Sequence, residues 1–101
     1  MNPVRGTKPI PQTICSAMYS RLRDGAHLIT NRPDGQPMYT APDPSSTTIA
    51  TMPANDPYRA IGEPLCIDSI LWWQVENGTN NGWVIEARDA TYWLEPSPTI
   101  P

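Results

Sequence analysis

The residues of this 101-residue chain that could do chemistry are 2 Cys, 1 His, 10 Asp and Glu, and an aromatic set of 4 Trp and 4 Tyr. Cys15 and Cys66 are too far apart for a C-x-x-C redox or zinc motif, and two thiols alone cannot complete a tetrahedral zinc site. They are candidates for a disulfide or for buried free thiols. A Cys–His nucleophile needs an unbridged thiol of lowered pKa beside the imidazole, and nothing in the spacing sets His27 beside either Cys. His27 reads as an exposed or partly buried strand histidine. Asp24, Asp34, Asp43, Asp56, Asp68, Glu76, Glu86, Asp89 and Glu95 are scattered over expected turns and strand ends, without the cleft that paired-carboxylate hydrolysis needs. Solvated turns account for them. Asn77-Gly78-Thr79 fits a glycosylation acceptor but is fully explained as a hairpin turn, and the loop lacks the alternating carboxylates of a calcium site. No nucleophile, base and orienting group can be assembled, so no enzyme, metal or cofactor is expected.

The elements that must position these residues are set by proline. Of 13 Pro, ten fall in residues 1–64 and three in residues 96–101, with none in residues 65–95, the window that holds all 4 Trp. Proline fixes φ and lacks an N–H, so it disfavours helix interiors and central strands. No helical periodicity runs uninterrupted by Pro or Gly over three turns, and a mainly β chain is expected. Strands are expected near residues 26–30, 38–41, 48–52, 58–61, 71–76, 83–86 and 92–94. Turns fall at Pro33-Asp34-Gly35, at Pro53-Ala54-Asn55-Asp56 and over residues 77–82, and a single 3₁₀ turn fits within residues 87–91. Residues 1–14 and 97–101 read as Pro-rich arms or linkers around one domain at 15–96, and Pro98-Thr99-Ile100-Pro101 fits P-x-x-P. A net charge of −3 without a basic run argues against nucleic acid. No apolar stretch is long enough for membrane insertion, and the start lacks the pattern of a signal peptide.

Alternation along residues 71–76 sends Leu71, Trp73 and Val75 one way and Trp72, Gln74 and Glu76 the other. Along residues 83–86, Trp83 and Ile85 are expected to join Trp73 in the core. Trp72, together with Tyr39, Tyr58, Tyr92 and Trp93, could then line an aromatic groove for a Pro-rich peptide or a sugar face. The alternative is that a chain with no Phe spends every large aromatic on filling its interior.

Trp72-Trp73-Gln74-Val75, Gly82-Trp83-Val84-Ile85-Glu86 and Tyr92-Trp93-Leu94-Glu95-Pro96 resemble the C-terminal half of a bacterial Src-homology-3-like (SH3-like) domain. Met38-Tyr39-Thr40-Ala41-Pro42, Ile49-Ala50-Thr51-Met52-Pro53 and Tyr58-Arg59-Ala60-Ile61-Gly62-Glu63-Pro64 are similar to its upstream strands, in the family's order. Thr40 stands where many members carry Arg, and Asn55-Asp56 where many carry Gly. The resemblance implies an all-β, SH3-like barrel of five to seven short antiparallel strands with Pro-rich terminal arms. Cys15 ahead of Ser20-Arg21-Leu22 and Cys66 ahead of Asp68 follow a pattern of the same subgroup, which implies a Cys15–Cys66 disulfide and an exported protein, extracellular or in the cell envelope. The function it implies is a non-catalytic binding module for cell-wall glycan or peptide, or for a protein partner. The alternative expectation is a structural subunit or spacer that self-associates through its Pro-rich arms.

Overall fold

Short β-rich segments punctuated by Pro, Gly and Asn leave most strands at five residues or fewer, so stability has to come from lateral pairing. The computed structural model describes residues 14–16 and 18–97. Its strands are β1 (Ile14–Cys15), β2 (Met18–Tyr19), β3 (His27–Thr30), β4 (Gln36–Tyr39), β5 (Thr48–Met52), β6 (Tyr58–Ile67), β7 (Ile70–Glu76), β8 (Asn81–Arg88), β9 (Thr91–Tyr92) and β10 (Leu94–Pro96). There is no helix among the described residues. The main sheet is an antiparallel half-barrel in the order β10-β3-β6-β7-β8-β4-β5, with β9 paired to β8 and with β1–β2 as a separate hairpin. Ile14, expected in the N-terminal arm, lies in β1, and the Ser97 N–H donates to the His27 carbonyl at 2.9 Å. The rest of both arms, including the P-x-x-P segment, lies outside the described residues.

Two turns show why the strands pair as they do. Asp68 and Ser69, at φ 53° and 65°, form a two-residue link between β6 and β7, the geometry that matches the twist of a tight hairpin. Asp89 and Ala90, at φ 53° and 62°, do the same between β8 and β9. The second link replaces the expected 3₁₀ turn, because β8 runs on to Arg88 and reverses there. β6 is longer than expected: its register shifts between Ile61 and Leu65, around Gly62 at φ 78°. A bulge of this kind lets one strand bend and pair with β3 at one end and with β7 along its length. Pro37 is tolerated within β4 because β8 joins that strand only at Tyr39↔Trp83.

The double-Trp hairpin corrects one expectation. The loop between β7 and β8 spans residues 77–80, and Glu76 pairs with Asn81. Paired residues share a face, so odd positions of β7 meet even positions of β8: Trp73↔Val84, Trp72↔Ile85 and Gln74↔Trp83. Trp83 and Ile85 therefore lie with Trp72 and not with Trp73. The inner face holds the main core, in which Leu28, Met38, Met52, Tyr58, Ala60, Trp73, Val75, Val84 and Leu94 are all buried. Leu71 extends that face toward Cys15 and Ala87, with Met18 and Tyr92 against them. The outer face carries a second cluster of Ile70, Trp72 and Ile85.

Cys15 and Cys66 are joined by a disulfide across 51 residues of sequence, with their Cα atoms 5.5 Å apart. It ties the β1–β2 hairpin to β6. Closing a loop of that length is worth about 4 kcal/mol on chain entropy.

Candidate functional site

The aromatic residues expected to form one groove are divided among three places. Tyr58 is in the main core at 2% exposure. Tyr92 lies in the far cluster beside Leu71 and Cys15, with the Arg21 guanidinium 3.7 Å above its ring. Only Tyr39, Trp72 and Trp93 come together, on the outer face. Trp83, expected in the core, is the fourth member of that group. The signal that finds it is the length of the β7–β8 loop, which sets the parity of the hairpin.

Trp72 is the floor of this face. It is 0% exposed, and Tyr39 meets it edge to face with ring centroids 5.7 Å apart and planes at 77°, the arrangement favoured by aromatic quadrupoles. Tyr39, Trp83 and Trp93 pack against the Ile70, Trp72 and Ile85 cluster and stay partly open to solvent. The indole N–H of Trp72 is buried without a hydrogen-bond partner. Exposed Leu65, the Cα partner of Trp72, extends the face.

The turn after β3 fixes the position of Trp93. Asn31 donates its backbone N–H to the Trp93 carbonyl at 2.9 Å and its side-chain amide to the Tyr92 carbonyl at 2.9 Å. The Thr30 hydroxyl donates to Gln36 Oε1 at 2.6 Å, and the buried Gln36 amide donates in turn to the Ile85 carbonyl at 2.9 Å. These bonds place Arg32 with its guanidinium carbon 3.9 Å from the centroid of the Trp93 ring.

Glu86 departs furthest from its expected role. It is not a solvated strand-end carboxylate but is 0% exposed. Its Oε1 accepts from the Ser20 hydroxyl and from the Trp73 indole N–H, both at 2.8 Å, and its Oε2 accepts from the Arg21 backbone N–H at 2.8 Å. Burial pushes its pKa up, opposed by those hydrogen bonds and by the Arg21 charge. Arg21 also donates to the Leu94 carbonyl at 2.9 Å. The group latches the chain after β2 onto β7, β8 and β10. Glu86 follows from the pairing of the hairpin: Val84 faces inward opposite Trp73, Glu86 two residues on does the same, and the bulge between Leu71 and Trp72 then brings Ala87 to that face as well.

A shallow, open depression of about 320 Å³ is lined by His27, Pro57, Tyr58, Arg59, Glu76, Asn77 and Gly78. His27 is exposed, and its Cα partner Arg59 pairs with Glu76 at 2.7 Å. The Arg59 hydrogen bond, followed by the Gly78 N–H, holds the Glu76 carboxyl below its ordinary pKa. With both Cys of the chain in the disulfide, no thiol is left to pair with His27. No group of three His, Cys, Asp or Glu among the described residues could hold a metal ion.

Comparison with protein-family models, with curated proteins and with solved structures gives no match to this chain.

Proposed function

We propose that the chain is a non-catalytic, SH3-like binding module of an exported protein, holding a cell-wall component or a peptide or protein partner on its outer aromatic face. The observation that carries this reading is the trio of partly open rings, Tyr39, Trp83 and Trp93, around the fully buried Trp72. Partly buried aromatics on a rigid sheet offer a large contact area at little entropic cost. Antiparallel strands in a half-barrel, with β10 returning to pair with β3, support the SH3-like assignment. The Cys15–Cys66 disulfide is compatible with an oxidising, extracellular compartment. No helix among the described residues is long and apolar enough to cross a membrane.

The test is a heteronuclear NMR titration of the labelled protein with soluble peptidoglycan fragments and with Pro-rich peptides. Binding should move the indole signals of Trp83 and Trp93 and the ring signals of Tyr39, and leave those of Tyr58 in place. The absence of any shift with every ligand would sink the reading.

A further inference from the structure

We propose that the partner of the outer aromatic face is an extended peptide with acidic side chains, and that Arg32 selects for its carboxylate. This rests on the reading of that face as a binding surface and adds the charge and class of the ligand.

The inference comes from what the described arginines are already bound to; the Arg23 side chain, like that of Arg32, meets no acceptor among the described residues, but it lies over no ring. Arg21 and Arg32 both lie over aromatic rings, at 3.7 Å and 3.9 Å. Arg21 has an acceptor, the Leu94 carbonyl. Arg59 has Glu76, and Arg88 lies 3.8 Å from Asp89. Arg32 has the stacking contact and a backbone bond from its N–H to the Thr30 hydroxyl, while its guanidinium meets no acceptor among the described residues. The carboxylate nearest in the hydrogen-bond network, Glu95, accepts from the Asn31 side chain instead.

A guanidinium held over an indole face is a planar fork with part of its freedom already spent, so it loses less when it takes a carboxylate by two parallel hydrogen bonds. Arg and Trp side chains are donors only. Arg32 and the indoles of Trp83 and Trp93 therefore bring donors to the face. An extended peptide presents a carbonyl at every residue, and a Pro or aliphatic stem can lie on the open rings. The net charge of −3 repels an acidic partner at long range, so the preference must be local to Arg32.

The experiment titrates three peptides, with Pro alternating with Glu, with Gln or with Lys, together with an oligogalacturonate as an anionic glycan. Indole signals and affinity are read in wild type, R32Q and R32K. The Glu peptide should bind about fivefold more tightly than the Gln peptide, the size of an ion pair that keeps contact with water, and the Lys peptide more weakly than either. R32Q should erase the difference between the Glu and Gln peptides, and R32K should restore part of it. Thermal melts of both variants should match wild type. Equal binding of the Glu and Gln peptides at Trp83 and Trp93 overturns the acidic preference and leaves the binding-module reading standing. Binding of the oligogalacturonate alone replaces the peptide class, and no perturbation by any probe overturns both readings.

Discussion

The indole N–H of Trp73 donates to the Glu86 carboxylate at 2.8 Å, in a part of the sheet where both side chains are at most 1% exposed. This bond joins the core to the segment after β2, because the same carboxylate also receives the Ser20 hydroxyl and the Arg21 backbone N–H. A buried charge is costly unless its acceptor capacity is filled. Here three donors converge on two oxygens, so the carboxylate works as a clamp.

Removing the clamp should be expensive. Glu86→Ala leaves the three donors of Ser20, Arg21 and Trp73 without their acceptor, and the loss should be about 3 kcal/mol, in the range for breaking a buried charged network. Chemical denaturation of wild type and E86A checks this. A loss below about 0.5 kcal/mol, the level of an ordinary surface substitution, would show that Glu86 does not hold the segment.

The same carboxyl gives the protein an unusual acid response. Burial raises the Glu86 pKa above its ordinary 4.5, so between those two values the folded state binds more protons than the unfolded state. Stability carried by Glu86 therefore falls as pH rises through that window and is recovered on mild acidification. Glu76 and Asp43 have the opposite sign, because their pKa values are lowered, Glu76 chiefly by Arg59 and Asp43 chiefly by the Ser45 N–H. Their contributions are lost as pH falls through the lowered values. Unfolding free energy followed from neutral to strongly acidic pH should pass through a mildly acidic maximum, and Glu86→Gln should remove the rise on its neutral side. Carboxyl NMR titrations should show the Glu86 midpoint above that of Glu76.

How much of this was legible follows from which interactions are local. The all-β class, the placement of β3 and β5, and the turns around Gly35 and Asn55 rest on neighbouring residues and were readable. The faces of Trp83 and Glu86 were not. They depend on pairing across an even-numbered loop, which sets odd positions of β7 opposite even positions of β8, and alternation within one strand does not supply that. A change of parity moves a whole strand to the other face, so the face around Trp72 includes Trp83, while Tyr58 and Tyr92, on other strands, pack in the main core and beside Leu71. The stacking of Arg32 on Trp93 depends on the long-range bond from the Asn31 N–H to the Trp93 carbonyl, for which sequence has no period.

The Cys15–Cys66 bridge should carry a large share of the stability. Cys15 is 2% exposed, and Cys66 lies on the exposed half of β6. Replacing both with Ser removes about 4 kcal/mol of loop-closure stabilisation, against ~5–15 kcal/mol for a typical domain. Denaturation of the double variant, and of wild type in reductant, should give matching downward shifts in midpoint. Intact mass before and after reduction counts the bridge directly, and two free thiols in the unreduced protein would contradict it.

Ala90 marks a position where the chain is strained. It has φ 62° in the two-residue link between β8 and β9, a conformation that costs a residue with a Cβ about 1–2 kcal/mol and glycine almost nothing. Glycine's greater freedom in the unfolded chain takes back part of the gain. Ala90→Gly should therefore raise stability by about 0.5–1 kcal/mol, and a melting temperature that falls would argue against the positive φ.

The two adjacent tryptophans should respond differently to the same substitution. Trp72 and Trp73 are both at most 1% exposed, so replacing either with Phe removes a similar apolar volume and leaves a similar cavity. Their polar atoms differ. The Trp73 N–H donates to Glu86 and lies 3.0 Å from the Ser20 hydroxyl, whereas the Trp72 N–H has no partner. W73F should lose the cavity term and a hydrogen bond to a charged acceptor, about 1.5–3 kcal/mol. W72F should lose the cavity term while relieving a buried, unmet donor. The expected order is a cost for W73F at least about 1.5 kcal/mol above that for W72F, measured by urea denaturation at neutral pH, where Glu86 most needs its donors. Equal costs would mean that the Trp72 N–H finds an acceptor in solution, and carbon-detected NMR of the two indoles would show it as matching N–H shifts.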